Sequence, residues 1–202
     1  MNVMERPGGF RSRRFVFRDL HALAEVQSIA NAAGWRQTLN RPAEGDTPLL
    51  ANWEVLPGLT VSYTEKTTIE TSFAMAASSL GAEEVEGCVA VFAAHPHVLT
   101  FDELIAGCDT ADTPPVQGMT LARAGLGAPV EPDERFVERL EAGAFSGDGA
   151  VREGALWGMA YAEWPTFRAS LRQASQSDPD EFLRRVAISA LRSFDRIGVA
   201  EQ

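Results

Sequence analysis

Two stretches in the C-terminal half decide the fold: DGAVREGAL at residues 148–156 and DPDEFLRRVAISAL at residues 178–191. Residues of the same type recur at a step of 35 through them and the preceding segment: Val116, Val151 and Val186, and Leu121, Leu156 and Leu191. A period of roughly 20 to 50 residues is typical of stacked supersecondary units. Because such stacks usually present a surface to a partner, the repeat favours binding over bond chemistry.

The segments around this repeat have the pattern of successive helices. Apolar residues at helical spacing, separated by short polar turns, predict helices at 101–107, 114–127, 133–144, 149–164, 166–175 and 180–196. These six helices pair as three helical hairpins. The first helices of the last two hairpins match at a step of 31: Phe136 and Leu140 with Phe167 and Leu171.

The pattern resembles the HEAT and HEAT-like helical repeats. In that family an Asp, often Asp-Pro, opens the second helix, and a Val-Arg pair with a following Ala-Leu packs its inner side. Here Asp148, Arg152 and Ala155 carry the resemblance, which covers about residues 99–200 and is closest in 148–196. The Asp would cap free amides, and the small Ala would let helices approach. A generic helical bundle is the alternative architecture.

The N-terminal half alternates short strands with helices. We expect a loose tail at residues 1–12 and an α+β unit at 13–98. Its predicted elements are a strand at 14–18, a helix from an Asp19 cap to Gly34, a loop at 40–48, strands at 53–56, 59–64 and 69–75 joined by turns at 57–58 and 66–68, and a helix at 82–94. The predicted fold class is therefore α+β: a small N-terminal α/β unit with an antiparallel hairpin, then a HEAT-like helical array at 99–202.

The chain is acidic, with a formal net charge of −10 and a sequence pI near 4.8. This charge opposes non-specific nucleic-acid binding, which needs Lys and Arg to displace counterions from phosphate. It suits a basic protein partner through electrostatic steering, or it serves solubility alone. One local exception to this acidity is a basic run near the start, which is a candidate nucleic-acid contact. It consists of Arg11, Arg13, Arg14 and Arg18.

Candidate chemical groups are few. Cys88 and Cys108 do not form a disulfide framework, and reduced thiols in a cytoplasmic protein are the simplest explanation. His95 and His97 flank Pro96 and, with Cys88, suggest a metal site, but no further ligand stands at a suitable spacing. We expect no membrane span, no cofactor, no metal and no catalytic constellation.

Three aromatic residues are the candidate protein-binding site. At about 100° per residue, Trp157, Tyr161 and Trp164 gather on one side of the predicted 149–164 helix, away from Val151 and Met159. Either this side is core, buried by neighbouring helices, or it is a contact surface, since aromatic residues are enriched in binding hot spots. At the 35-residue steps Trp157 is replaced by residues of different size: Ala122 and Arg192.

The predicted function is a non-catalytic cytosolic protein–protein interaction module. An immunity- or adaptor-type binder of a basic partner is the more specific form of this hypothesis. The alternative is an enzyme or small-ligand-binding protein with a site at the junction of the two halves, where His95, His97 and Cys88 would meet a carboxylate.

Overall fold

The structure, a computed structural model, describes residues 2–45, 47–66 and 69–199. Contacts divide the chain into two compact units: unit 1 is residues 1–100 and unit 2 is residues 101–202. The predicted boundary lies two residues earlier, at 98/99. An antiparallel sheet dominates unit 1 and α-helices form unit 2, which confirms the α+β class with a helical C-terminal array.

Within its described residues, unit 1 is a seven-stranded antiparallel sheet with two helices. The helices are α1 (Leu23–Ala33) and α2 (Ala82–Ala93). The strands are β1 (Val3–Arg6), β2 (Gly9–Ser12), β3 (Phe15–Val16), β4 (Arg36–Arg41), β5 (Leu49–Leu56), β6 (Leu59–Lys66) and β7 (Thr71–Ser78). They follow the order β1-β2-β7-β6-β5-β4, and the short β3 also pairs with β7.

One face of the sheet forms the core of unit 1. In β6 the residues Leu59, Val61 and Tyr63 are buried, whereas the alternate residues are half-buried, as the period of two requires. Val26 of α1 and Phe92 of α2 belong to the same apolar cluster, so both helices pack on this face. The opposite face of the sheet is turned away from α1 and α2.

Three local predictions in unit 1 are wrong. The expected tail at 1–12 instead contains the β1–β2 hairpin, because Pro7-Gly8 forms its two-residue turn and Gly8 takes the positive φ (93°) that such a turn needs. Asp19 does not cap α1, which begins at Leu23. Strand β4 lies where no strand was predicted. The expected turn at 66–68 falls largely on residues 67 and 68, outside the described residues.

Unit 2 contains the six predicted helices. They are α3 (Phe101–Thr110), α4 (Pro114–Gly127), α5 (Glu134–Ala144), α6 (Gly149–Ala162), α7 (Arg168–Ser177) and α8 (Glu181–Arg196). A 3-10 turn at Pro165–Phe167 precedes α7. Consecutive helices pack as the pairs α3/α4, α5/α6 and α7/α8, and α4, α6 and α8 pack side by side. We call these three the second-helix layer.

The closest packing in unit 2 is between α4 and α6, and glycines make it possible. A methyl group at Gly154 would overlap the backbone of Gly118, and one at Gly125 would overlap the backbone of Gly158. The two helices therefore run in the same direction with their backbones in contact. Any side chain at these positions would force the helices apart, because helix pairs separated by side chains pack at about 8–10 Å.

The repeat has a shorter step in its last unit than the sequence predicts. Asp148 caps α6 and Asp180 caps α8 through backbone amides, and these caps are 32 residues apart. Nη1 of Arg152 donates to the carbonyls of residues 146 and 147, and Nη1 of Arg184 donates to those of 178 and 179. Arg184 is thus the counterpart of Arg152, whereas the 35-residue step would place Ala187 there. The 35-residue register holds only from α4 to α6.

An ion pair joins the last two helical hairpins. Nε of Arg152 donates to Oδ2 of Asp178 at 2.9 Å, and Nη2 lies 3.3 Å from Oδ1. The side chains are only 12% and 3% exposed. Breaking such a buried pair leaves one charge without compensation.

Replacing Arg152 by Met is expected to lower the free energy of unfolding by about 3–5 kcal/mol, because it strands the buried Asp178 carboxylate. The control is Arg185→Met, which removes an exposed pair with Glu181 and should change stability by about 0.5 kcal/mol or less. Urea titrations followed by circular dichroism measure both. Equal effects of the two variants would contradict this role for Arg152.

Gly154→Ala is expected to destabilise unit 2 by about 3 kcal/mol, since backbone cannot yield to the added methyl group as a side chain would. The matched control is Gly87→Ala in the interior of α2, where a Cβ meets nothing within 4 Å. That change should stabilise the protein by up to about 1 kcal/mol through helix propensity. Chemical denaturation measures the free energy of unfolding of both variants. A Gly154→Ala protein as stable as the wild type would refute the backbone contact.

Candidate functional site

Helix α6 has one side that is only partly buried. Its buried residues include Val151, Ala155 and Met159, which face the other helices of unit 2. Its half-buried residues include Glu153, Trp157 and Tyr161. The Asp148 cap and the glycine contact with α4 fix the position of this helix, and with it the position of its partly buried side.

Trp157 and Tyr161 form a stacked pair on that side. Their ring centroids lie 5.8 Å apart with an interplanar angle of 21°. The spacing of four residues places them one above the other on the helix. Both side chains are half-buried, so each keeps part of its ring accessible.

Trp164 does not belong to this surface. Helix α6 ends at Ala162, because Glu163 adopts a left-handed conformation (φ 59°) and Pro165 follows. Trp164 is 1% exposed, stacks on Phe167 at 5.5 Å and donates its indole N–H to the backbone carbonyls of Pro129 and Val130. It is a core residue, so the three predicted aromatic residues do not share one side. Pro165 is the sequence feature that could have indicated this.

Two further aromatic side chains of unit 2 are accessible and were not predicted from the sequence. Phe145 follows α5 and is 52% exposed, and Phe182 lies in the first turn of α8 and is 44% exposed. Phe145 also lines a small cavity of about 110 Å³ with Arg152 and Pro179. The sequence does not reveal that either side chain is exposed, because both residues lie at helix ends beside Asp-capped turns.

The cysteines occupy environments that suppress their reactivity. Cys88 lies on the buried side of α2, and Cys108 is buried in α3 with its thiol donating to the Leu104 carbonyl. Burial raises the pKa of each thiol from 9.0 to about 11. Because the thiolate is the nucleophile, neither residue is prepared for nucleophilic catalysis at neutral pH.

The histidines each approach a carboxylate in unit 1. Nδ1 of His97 lies 3.3 Å from Glu25, and Nε2 of His95 lies 4.0 Å from the same carboxylate. His21, which appears isolated in the sequence, contacts the buried Glu65 at 2.9 Å. The described residues contain no group of three or more His, Cys, Asp or Glu side chains placed to hold a metal ion.

The basic run near the start does not form one continuous surface. Arg13 is 7% exposed, its guanidinium stacks over Phe15 at 4.4 Å, and burial lowers its pKa to about 10. Arg18 donates from Nε to the Pro96 carbonyl. The run therefore includes arginines with structural roles, which disfavours it as a nucleic-acid track.

Comparison of the chain with protein-family models, curated proteins and solved structures finds no match. In the part of the chain that the structure describes, no helix is both long enough and apolar enough to cross a membrane.

Cys88 and Cys108 are expected to resist alkylation in the folded protein. A pKa of about 11 in place of 9.0 lowers the thiolate fraction at pH 8 about a hundredfold, and burial limits access further. Timed iodoacetamide labelling with and without urea tests this.

The same shifts set the sign of a pH dependence. The unfolded thiols lose protons first above pH 9, so the free energy of unfolding should fall as the pH rises from about 9 to about 11. Cys88→Ala should reduce that fall. Rapid labelling of the native protein at pH 8 would contradict the burial of both thiols.

Proposed function

We propose that unit 2 is a non-catalytic, HEAT-like protein-binding module whose contact surface centres on Trp157 and Tyr161. The observation that carries the proposal is the stacked, half-exposed aromatic pair on α6. Large aromatic rings supply much contact area at little entropic cost, and they are enriched among binding hot spots.

The rigidity of α6 supports this assignment. A surface that is already ordered before binding loses little conformational entropy when a partner docks. The Asp148 cap, the Arg152–Asp178 pair and the Gly154 contact with α4 all restrain the helix that carries the aromatic pair. The paired helices and the recurring cap-and-arginine arrangement also support the HEAT-like interpretation.

The charges near the aromatic pair bear on the kind of partner. Apart from Arg152, which is buried in its pair with Asp178, the second-helix layer carries five arginines and three carboxylates, although the whole chain has a net charge of −10. A partner that docks on this layer would present acidic groups. A basic partner, as in the immunity-type hypothesis, would instead contact the acidic turns and first helices.

The decisive experiment compares two matched double variants in quantitative pull-downs from a lysate of the source cells. We expect a specific protein to be retained by the wild type and lost by Trp157→Ala/Tyr161→Ala. The variant Phe145→Ala/Phe182→Ala removes two more exposed aromatic residues elsewhere in unit 2 and should retain the protein. The purified partner then allows measurement of Kd by calorimetry, with an expected weakening of at least about 30-fold.

Thermal unfolding of each variant is the necessary control. The Trp157→Ala/Tyr161→Ala protein should unfold close to the wild-type temperature, because the pair is only half-buried. If that variant fails to fold at room temperature, the pair belongs to the core and the proposed contact surface is wrong. Loss of the partner only in the phenylalanine variant would move the contact to the helix ends, and the absence of any specific partner would refute the function.

A further inference from the structure

Strand β6 carries a carboxylate, Glu65, on its buried side. The residues that alternate along this side are Leu59, Val61, Tyr63 and Glu65, and Glu65 is 7% exposed. Burying a carboxylate costs free energy unless the group is paired and hydrogen-bonded. Residues that break the apolar pattern of a core face are expected at functional sites. The groups that Glu65 contacts are therefore candidates for a functional site.

Both oxygens of Glu65 have hydrogen-bond donors. Oε2 lies 2.9 Å from Nδ1 of His21, and Oε1 accepts a hydrogen bond from the hydroxyl of Tyr63 at 3.0 Å. Burial, and then the neighbouring Glu65, raises the pKa of Tyr63, so this hydroxyl keeps its proton at neutral pH. Because a carboxylate only accepts hydrogen bonds, the ring nitrogen of His21 that faces it carries the proton.

Hydrogen bonds from the sheet hold the turn that carries His21. The hydroxyl of Ser72 in β7 donates to the carbonyl of Asp19 at 2.7 Å, and the hydroxyl of Tyr63 also lies 3.3 Å from the carbonyl oxygen of Leu20. The two residues that precede His21 are thus fixed on the strands. The imidazole ring is oriented before any reactant arrives, as a reactive group requires.

The second ring nitrogen of His21 is accessible to solvent. The His21 side chain is 78% exposed, although the Glu65 side chain that it contacts is 9% exposed. In the part of the chain that the structure describes, Glu65 is the only hydrogen-bond partner of this ring. With the proton on Nδ1, the lone pair is on Nε2, on the far side of the ring from the carboxylate. The pair therefore presents an oriented nitrogen nucleophile at the surface.

The other two histidines of the chain provide an internal comparison. Nδ1 of His97 also faces a carboxylate, Glu25, but at 3.3 Å, and the Glu25 side chain is 40% exposed. Nε2 of His95 lies 4.0 Å from the same carboxylate. Because water and two rings compete for Glu25, neither His95 nor His97 is held as firmly as His21.

We propose that His21 is a phosphoryl-acceptor residue, which takes a phosphoryl group on Nε2 from an N-phosphorylated donor. The Nε2 lone pair attacks phosphorus, and the protonated donor nitrogen leaves as an amine with the electrons of its N–P bond. The ring gains a positive charge, which Glu65 balances while it accepts the hydrogen bond from Nδ1. The site is independent of the protein-binding surface on α6.

Phosphoryl transfer is the reaction that this geometry favours. Acyl transfer and hydrolysis need several groups that surround the substrate and stabilise an oxyanion. A phosphoryl acceptor needs one oriented nucleophile that the donor can approach in line. His21 supplies that nucleophile on an open surface, and the donor supplies the groups that hold the phosphoryl oxygens.

Phosphoramidate, a small N-phosphorylated compound, tests the proposal on the full chain at pH 8. Mass spectrometry of the intact protein follows the gain of phosphoryl groups, and peptide mapping at alkaline pH assigns them to individual histidines. His21 should react at least about tenfold faster than His95 or His97, because its carboxylate is buried and fixed. His21→Gln should abolish the fast reaction.

Glu65→Gln tests the positioning role of the carboxylate. Nitrogen-15 NMR should show the His21 proton on Nδ1 in the wild type and a mixture of tautomers in the variant. The rate of His21 phosphorylation should fall about ten- to a hundredfold. Glu25→Gln, which alters the exposed carboxylate beside His97, is the matched control and should leave the His21 rate unchanged.

Thermal unfolding shows whether Glu65→Gln is folded, and the comparison of the three histidines within the wild type requires no variant. Equal phosphorylation rates at the three histidines of the folded wild type would overturn the proposal. A His21 proton on Nε2 would overturn it as well. An unchanged His21 rate in a folded Glu65→Gln protein would overturn the role of Glu65.

Discussion

The direct backbone contact between α4 and α6 is the constraint on which unit 2 depends. Four glycines let the two helices touch without intervening side chains, so dispersion contacts between backbone atoms replace the usual side-chain packing. Glycine disfavours helix by about 1 kcal/mol relative to alanine, and the close contact offsets that loss. The position of α6, and therefore of Trp157 and Tyr161, follows from this contact.

Much of the acidity of unit 2 has a structural role. Carboxylates cap the helices that begin after Asp133, Asp148 and Asp180. Others bind arginines across helices, such as Asp109 with Arg139, whose guanidinium lowers the pKa of that carboxyl. The negative net charge of the chain is therefore a weak guide to the charge of a partner. The local distribution, with arginines outnumbering carboxylates on the second-helix layer, is more informative.

The elements predicted best from the sequence are those in which helical periodicity agrees with a residue that starts or stops a helix. Helix α4 has the predicted bounds because Pro114 starts it and helical spacing continues to Gly127. Strand β4 was missed because all six of its residues are exposed, so there is no alternation of buried and exposed positions to mark it. The β1–β2 hairpin was missed although Pro7-Gly8 repeats the dipeptide that correctly predicted the turn at Pro57-Gly58. Long-range pairs such as His21 with Glu65 leave no local pattern at all.

The glycine contact also limits how this chain could have evolved. In most helical arrays any unit can be duplicated or deleted, because each interface resembles the next. Here Gly154 and Gly158 of α6 lie against the backbone of α4, whereas Val186 and Ala190 occupy the corresponding positions of α8, 32 residues later. Inserting a copy of α7–α8 between α4 and α6 would place side chains against a surface shaped for bare backbone. The length of the array is thus fixed at this point by sterics.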